Sequence, residues 1–295
     1  MKQLSPSSPL GLPHEYPEPA ESDHSEAVAL PSMAETAAPT RNADVRWDDF
    51  PSQDYWHRNY KEIQPADKEI IRLVGSFFGK TFRRRDRVQR AIDVGSGTNL
   101  YPALLMLPWA EHILLTDYSE SNVRWLRSEV MDDDVAWTWQ PFWRELQALE
   151  GYNQVSEPRK QLRVACTGPG PQPTVEEHSV FDLPSAQWQL GTMFFVAESI
   201  TRIREEFEEA VASFAGALEP HSPFAAAFMK GSDGYPLGET DEVTYPALPV
   251  TAGDIRNHFT RLGVSKLDVK ELETPQLVRE DYEGMIVATG ITGEH

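Results

Sequence analysis

The chain has 295 residues, a formal net charge of −19 and 40% apolar residues, including eight Trp and thirteen Phe. That length suits one large domain or two small ones with a proper core, and the acidity excludes nucleic-acid binding, because no basic stripe is present to displace counterions from phosphates. A single cysteine, Cys166, excludes an intrachain disulfide and a zinc-type cysteine cluster, and no apolar run reaches the length of a membrane span.

Residues 1–44 are rich in Pro, Ser, Glu and Ala without an apolar period, so an acidic disordered tail is expected ahead of a single domain over 45–295. The start Met1-Lys2 is not followed by an apolar signal region, which makes the cytoplasm the expected location. Aromatic residues appear at Arg46-Trp47-Asp48-Asp49-Phe50. Ile70, Ile71, Val74, Phe77 and Phe78 recur at helical spacing over 67–82. The basic run Arg83-Arg84-Arg85 is read as the cap of that helix rather than as a phosphate patch. A strand at 91–94, a helix through Leu104–Leu107 and a second strand at 112–116 follow, and then a helix from Ser119 to Val130 with Ser119 as N-cap.

Trp137, Trp139, Phe142 and Trp143 mark an amphipathic insert over 131–178, with a loop at 167–173. Val180–Pro184 reads as a strand end. Gly191–Ala197 is a near-continuous apolar run, as buried parallel strands are. A helix is expected over 204–218, its apolar face Phe207, Val211, Phe214 and Leu218 and its acids a solvated surface. A strand at 224–229, a helix at 251–262 and an antiparallel pair, 264–271 with 284–289, complete the pattern. This is a doubly wound, Rossmann-like α/β fold with a C-terminal antiparallel strand pair.

The chemistry-bearing run is Ala91-Ile92-Asp93-Val94-Gly95-Ser96-Gly97-Thr98-Asn99, followed by Thr116-Asp117-Tyr118-Ser119. Glycines let the backbone turn sharply beside a ligand, and an acid ending the second strand suits the two hydroxyls of a ribose. The alternative is a tight strand–helix turn that binds nothing. Leu100 stands where a dinucleotide fingerprint has its third glycine. The Asp-x-Gly-x-Gly order instead resembles motif I of class I S-adenosylmethionine (SAM) methyltransferases.

Four segments extend this likeness: Asp54-Tyr55-Trp56-His57-Arg58-Asn59-Tyr60, Ile92–Tyr101, Thr116–Asn122 and Phe195-Val196-Ala197-Glu198. Together they resemble the nicotinamide, phenylethanolamine, thioether and indolethylamine N-methyltransferases, in a bacterial, actinobacterial branch, over about residues 47 to 290. The resemblance implies a seven-stranded methyltransferase fold with an N-terminal lid over 47–82. It implies that Gly95, Ser96 and Gly97 line the methionine tail of SAM, with Thr98 and Tyr101 on its carboxylate. It implies Asp117 on the ribose, Tyr118 and Asn122 at the adenine, and Ser179 and Val180 along the adenine edge. Tyr55 and Tyr60 would cover the cofactor and wall off the acceptor. Amine-methylating members carry a second acid after the fifth strand. Aligned on Tyr235, this chain has Phe228 and Ser232 there, leaving Glu198 as the retained anchor.

Methyl transfer from a sulfonium is an in-line displacement that depends on alignment and exclusion of water. Tyr55, Trp56, Tyr60 and Tyr235 are candidates for an aromatic wall suited to cationic groups. Glu198 would hold an acceptor N–H or act as base; its alternative is a salt bridge to Arg202 or Arg204. His57 would shuttle a proton or simply face solvent. The remaining histidines lack partners at metal-ligand spacing, so no metal is expected. The expected activity is N-methylation of a small aromatic or heteroaromatic amine. Carbon or oxygen methylation of an aromatic ring such as indole in specialised metabolism, or a non-catalytic SAM-binding regulator, remain open. The expected partner is a small molecule, and the expected state a monomer or weak homodimer.

Overall fold

Strands that are apolar without alternation have to be covered on both faces. Leu190–Phe194 and Pro223–Lys230 are of this kind, and they occupy the middle of the sheet. The computed structural model describes residues 40–83, 86–132, 137–167, 174–237, 243–272 and 283–294. The tail expected over 1–44 thus lies outside the described residues up to residue 39, as do Arg84 and Arg85. Asn42–Asp44 is already a 3-10 turn, so regular structure begins before Arg46.

In chain order the elements are α1 Ser52–Asn59, α2 Pro65–Phe82, β1 Val88–Val94, α3 Tyr101–Met106, β2 Ala110–Asp117 and α4 Glu120–Met131. Then come α5 Gln140–Gln147, α6 Pro158–Ala165, β3 Val175–Glu177, β4 Leu190–Phe194, α7 Arg204–Ala217 and β5 Pro223–Lys230. β6 Tyr235–Leu237, β7 Val243–Tyr245, α8 Ala252–Arg261, β8 Ser265–Leu272 and β9 Gly284–Ile291 end the chain. Seven strands form one sheet in the order β3-β2-β1-β4-β5-β9-β8. The first five are parallel, and β9 runs antiparallel to both neighbours. This is the fold expected from the alternation of patterns.

Local chemistry sets the element ends. Ser119 caps α4 by accepting from the Asn122 amide at 3.4 Å. α2 begins at Pro65, two residues earlier than its apolar period, because Pro suits the first helical position. At its other end Arg83 pairs with Glu150. The insert forms α5 and α6, and Trp139, Phe142, Trp143 and Leu146 pack wholly into the core beside α2 and α3. Tyr152 locks it there by donating to the Leu105 carbonyl at 2.7 Å. Cys166, at the end of α6, is buried and burial pushes its thiol up, which leaves it a packing residue.

Three expectations are corrected. Val180–Asp182 is a 3-10 turn and not a strand end; the Ser179 hydroxyl accepts from the Phe181 amide at 3.2 Å, and the strand lies upstream at β3. The β6–β7 hairpin was not expected, since strands of three residues containing Pro236 carry no readable period. The acids of α7 are not all solvated. Glu206 Oε2 accepts from the Asn42 amide at 2.9 Å and the Thr201 hydroxyl at 2.6 Å, and the Arg202 amide donates to the Thr40 carbonyl at 2.9 Å. These bonds fasten the 40–50 strap to the start of α7.

A charged acceptor of a hydrogen bond contributes about 1.5–3 kcal/mol. Glu206→Ala is therefore expected to lower amide-exchange protection over Thr40–Phe50 by about tenfold or more, with β1, β4 and β5 unchanged. Unaltered exchange in the strap would show that Glu206 does not hold it.

Candidate active site

The sheet order reverses between β1 and β4, and in open α/β sheets ligands bind outside the strand ends at that point. A cleft of about 800 Å³, its open mouth included, lies there. Gly95 and Gly97 form its floor with φ of +64° and +56°. A Cβ on Gly95 would sit 2.6 Å from Val196 Cγ2, so the backbone passes too close for any side chain. At Gly97 a Cβ would meet nothing nearer than 3.9 Å, so the space above it is open to a ligand.

Asp117 ends β2 and is 8% exposed. Its Oδ2 accepts from the Gly97 amide at 2.8 Å, and its Oδ1 from the Ser119 amide at 2.9 Å and Asn122 Nδ2 at 3.1 Å. Burial raises its pKa and these donors oppose the rise. Asn122 Oδ1 in turn accepts from the Ser52 hydroxyl at 2.8 Å, and the Glu120 amide donates to Asp48 at 3.0 Å, so α4 carries α1 and the strap with it. Tyr118 is 53% exposed at the rim, and Ser179 and Val180 line the same end. His178, which donates its amide to the Asp117 carbonyl at 2.9 Å, joins them.

The other end of the cleft is aromatic. Tyr55 stands 6.1 Å from Tyr60 and 6.3 Å from Tyr235, ring centre to ring centre. Behind them Trp47, Tyr245 and Tyr235 stack at 5.5 Å intervals, with Phe50 against Tyr55 at 5.2 Å. The unforeseen hairpin supplies two of these rings. Phe195 is the one wall residue with a strained backbone, φ +60°, a conformation that costs about 1–3 kcal/mol and concentrates at functional sites.

The structure thus gathers Tyr55, Tyr60, Gly95, Ser96, Gly97, Thr98, Asp117, Tyr118, Asn122, Ser179, Val180 and Tyr235 around one cleft. Five expected residues do not line it. Tyr101 is fully buried behind Tyr60, stacked on Phe142 at 5.5 Å. Trp56 packs on Trp125, and His57 is exposed beside Lys61 Nζ at 3.1 Å. Ser232 is buried. Glu198 is 0% exposed; its Oε1 accepts from the Met229 amide at 2.8 Å and the Ser199 hydroxyl at 3.1 Å. The salt-bridge alternative for Glu198 is not formed, because Arg202 pairs with Asp233 and Arg204 with Asp254. Sequence reasoning missed Asn42, Phe195, Ser199 and Ile200 on the wall. Trp47 and Phe50 had left a signal in the first aromatic cluster.

Several buried polar atoms at this end of the sheet have no hydrogen-bond partner among the described residues: Thr98 Oγ1, the Tyr101 hydroxyl, Asp93 Oδ2 and Glu198 Oε2. Buried polar groups are nearly always paired, so the Thr98 hydroxyl, left over beside an open glycine turn, fits a polar ligand tail. No group of His, Cys, Asp and Glu that could hold a metal occurs among the described residues, and none of their helices is long and apolar enough to cross a membrane.

Comparison with known proteins matches residues 40–289 to the NNMT/PNMT/TEMT family. The chain belongs to this family. Human nicotinamide N-methyltransferase is 28% identical over 118 residues, covering 39% of this chain and 44% of that protein. Among solved structures, 1,6-didemethyltoxoflavin-N1-methyltransferase of Burkholderia thailandensis, crystallised with its substrate and S-adenosylhomocysteine, shares the fold with a TM-score of 0.50 and 14% identity, covering 88% of this chain and 93% of its own. A SAM-dependent methyltransferase of Methanosarcina mazei has a TM-score of 0.48 at 11% identity, covering 73% and 98%. The family is one of SAM-dependent methyltransferases, and the sheet has the fold of an enzyme crystallised with S-adenosylhomocysteine. The open space over Gly97 and the unpartnered Thr98 hydroxyl beside it fit SAM.

Two outcomes follow from the buried carboxyls. Asp117→Ala removes the acceptor of three donors and is expected to weaken S-adenosylhomocysteine binding by about a hundredfold or more, at about 1.5–3 kcal/mol per charged hydrogen bond lost to a ligand hydroxyl. Unchanged calorimetric affinity would remove Asp117 from the site. Burial pushes Asp67, Asp93 and Glu198 up to about 7, whereas unfolded carboxyls titrate near about 4. The folded state therefore keeps protons that the unfolded chain releases, and these groups lose stabilising effect as pH rises from about 4 through about 7. Urea unfolding of Glu198→Gln is expected to fall less steeply across that window than wild type; an identical slope would contradict it.

Proposed function

We propose that this chain moves the methyl group of SAM to a nitrogen of a small, flat aromatic or heteroaromatic amine-type acceptor. The observation that carries the reading is the aromatic wall of Tyr55, Tyr60, Tyr235 and Phe195 facing the Gly95–Gly97 turn in one cleft. When bound, SAM supplies an electrophilic methyl on a positive sulfonium. The aromatic faces suit that charge and a cationic product, and the strap residues Asn42, Trp47 and Phe50 exclude water from it. Holding donor and acceptor in line accounts for most of the barrier reduction in such a displacement.

In this reading Asp117 takes the ribose hydroxyls, Gly95, Ser96, Gly97 and Thr98 line the methionine tail, and Tyr118, Asn122, Ser179 and Val180 frame the adenine. Tyr101 supports Tyr60 from behind the cleft rather than touching the cofactor. Glu198 anchors the acceptor wall from beneath, Trp56 and Ser232 contribute through packing, and His57 faces solvent. Human nicotinamide N-methyltransferase and the toxoflavin-precursor enzyme both methylate nitrogen, as their names state, which supports nitrogen here. No carboxylate or histidine lines the aromatic side of the cleft among the described residues, so no base touches the acceptor directly. Of the loop acids near Tyr235 that could stand in for the missing second anchor, Asp233 pairs with Arg202 at the surface, and Glu239 and Glu242 lie outside the described residues. The strong negative charge suits a monomer or weak homodimer acting on a small molecule, and a cytoplasmic location is part of the same proposal.

Incubation with methyl-¹³C SAM and a panel of anilines, pyridines, indoles and phenols, read by NMR, is expected to give N–CH₃ products. C–CH₃ or O–CH₃ products would move the reading to carbon or oxygen methylation in specialised metabolism. No product from any ring despite tight SAM binding would favour a regulator. Glu198→Gln is expected to keep SAM affinity and lose about tenfold or more in turnover; wild-type turnover would leave Glu198 purely structural.

A further inference from the structure

Ser199 is the wall residue that touches both the cleft and the buried carboxyl beneath it. It lines the cavity at 9% exposure, and its hydroxyl donates to Glu198 Oε1 at 3.1 Å. Its place is set from three sides: the Ser199 amide donates to the Val196 carbonyl at 2.9 Å, the Tyr235 hydroxyl donates to the Ser199 carbonyl at 3.3 Å, and the Leu248 amide donates to the Glu198 carbonyl at 2.7 Å. A hydroxyl carries one proton and two lone pairs. With that proton committed to Glu198, Ser199 presents acceptor capacity to the cleft.

We propose that Ser199 receives an N–H of the aromatic acceptor, so that the site selects rings bearing an N–H (anilines, indoles and amino-heteroaromatics) over aprotic pyridine nitrogens and phenolates. Glu198 is the positioning residue behind it. The inference rests on the methyl-transfer reading above and adds the group that chooses among acceptors. Where the N–H nitrogen is itself methylated, its lone pair forms the new N–C bond and the pair of the broken C–S bond stays on sulfur. The N–H proton then passes to Ser199 Oγ as the Ser199 proton passes to Glu198 Oε1, which leaves the acceptor nitrogen and the carboxyl both neutral.

No cation offsets the charge of Glu198 among the described residues. Arg202 pairs with Asp233, Arg204 with Asp254, and Lys230, at the end of β5, with Glu271 and Glu283. Glu206 is engaged by Asn42 and Thr201, and the Tyr235 hydroxyl lies on the Ser199 carbonyl. Burial, opposed by the bonds from the Met229 amide and the Ser199 hydroxyl, raises the carboxyl to about 7, in the range where a proton enters and leaves near neutral pH.

The test is calorimetric titration of indole and 1-methylindole into protein saturated with S-adenosylhomocysteine. Wild type is expected to bind indole about tenfold more tightly, the weight of one hydrogen bond to a polarised acceptor. That preference should grow between pH 6 and pH 8 as Glu198 ionises, roughly in step with its titration. Ser199→Ala should bind both indoles alike with unchanged S-adenosylhomocysteine affinity, Ser199→Thr should restore the preference, and Glu198→Gln should abolish its pH dependence. Equal binding by wild type, failure of both probes to bind included, or a preference surviving in Ser199→Ala overturns the assignment. Methyl transfer to pyridines without an indole preference removes this assignment alone, and no transfer to any ring removes the reading on which it rests.

Discussion

A carboxylate taken out of water is costly unless hydrogen bonds replace its solvation, and at Asp117 the replacement holds the whole site together. Its two oxygens draw in the Gly97 amide from the first turn and the Ser119 amide and Asn122 side chain from the second. The two β–α turns that flank the switch point are thereby joined through one side chain. Asn122 and Glu120 then pass the constraint to Ser52 and Asp48, so the strap that roofs the cleft is registered on the same carboxylate. Neutralising Asp117 would loosen floor and roof together.

The opposite half of the cleft is organised by packing rather than charge. Stacked rings from the strap, from α1 and from the β6–β7 hairpin form a slab, and aromatic pairs of this kind contribute about 0.5–1.5 kcal/mol beyond their area. Glu198 sits beneath that half without a countercharge. A buried carboxyl is tolerable there because it is held near neutrality and tied to the Met229 amide and the Ser199 hydroxyl. One half of the cleft is thus ordered by a carboxylate and its hydrogen bonds, and the other by packed rings over a buried carboxyl.

Much of this was legible in the residues. The apolar runs at 91–94, 191–197 and 224–229 specified a doubly wound sheet, and Gly95, Gly97 and Asp117 marked its switch point, because backbone conformation and strand length act locally. The reading failed where structure depends on distant partners. The Ser179 hydroxyl turned Val180–Asp182 into a 3-10 turn, and β6 and β7 are too short to show a period. Glu206 looked like any exposed helix acid until the strap crossed it. Glu198 was visible as an acid after a buried strand, but its burial beneath Ser199 depends on β5, some thirty residues later in the chain.

The most direct test of the central claim is a crystal structure of the protein with S-adenosylhomocysteine. The account predicts both ribose hydroxyls on the Asp117 carboxylate, the amino-acid tail over Gly97 with the Thr98 hydroxyl newly partnered, and the sulfur facing the Tyr55–Tyr235 wall. A nucleoside bound elsewhere, or in this cleft with Asp117 making only its present bonds to Gly97, Ser119 and Asn122, would contradict it.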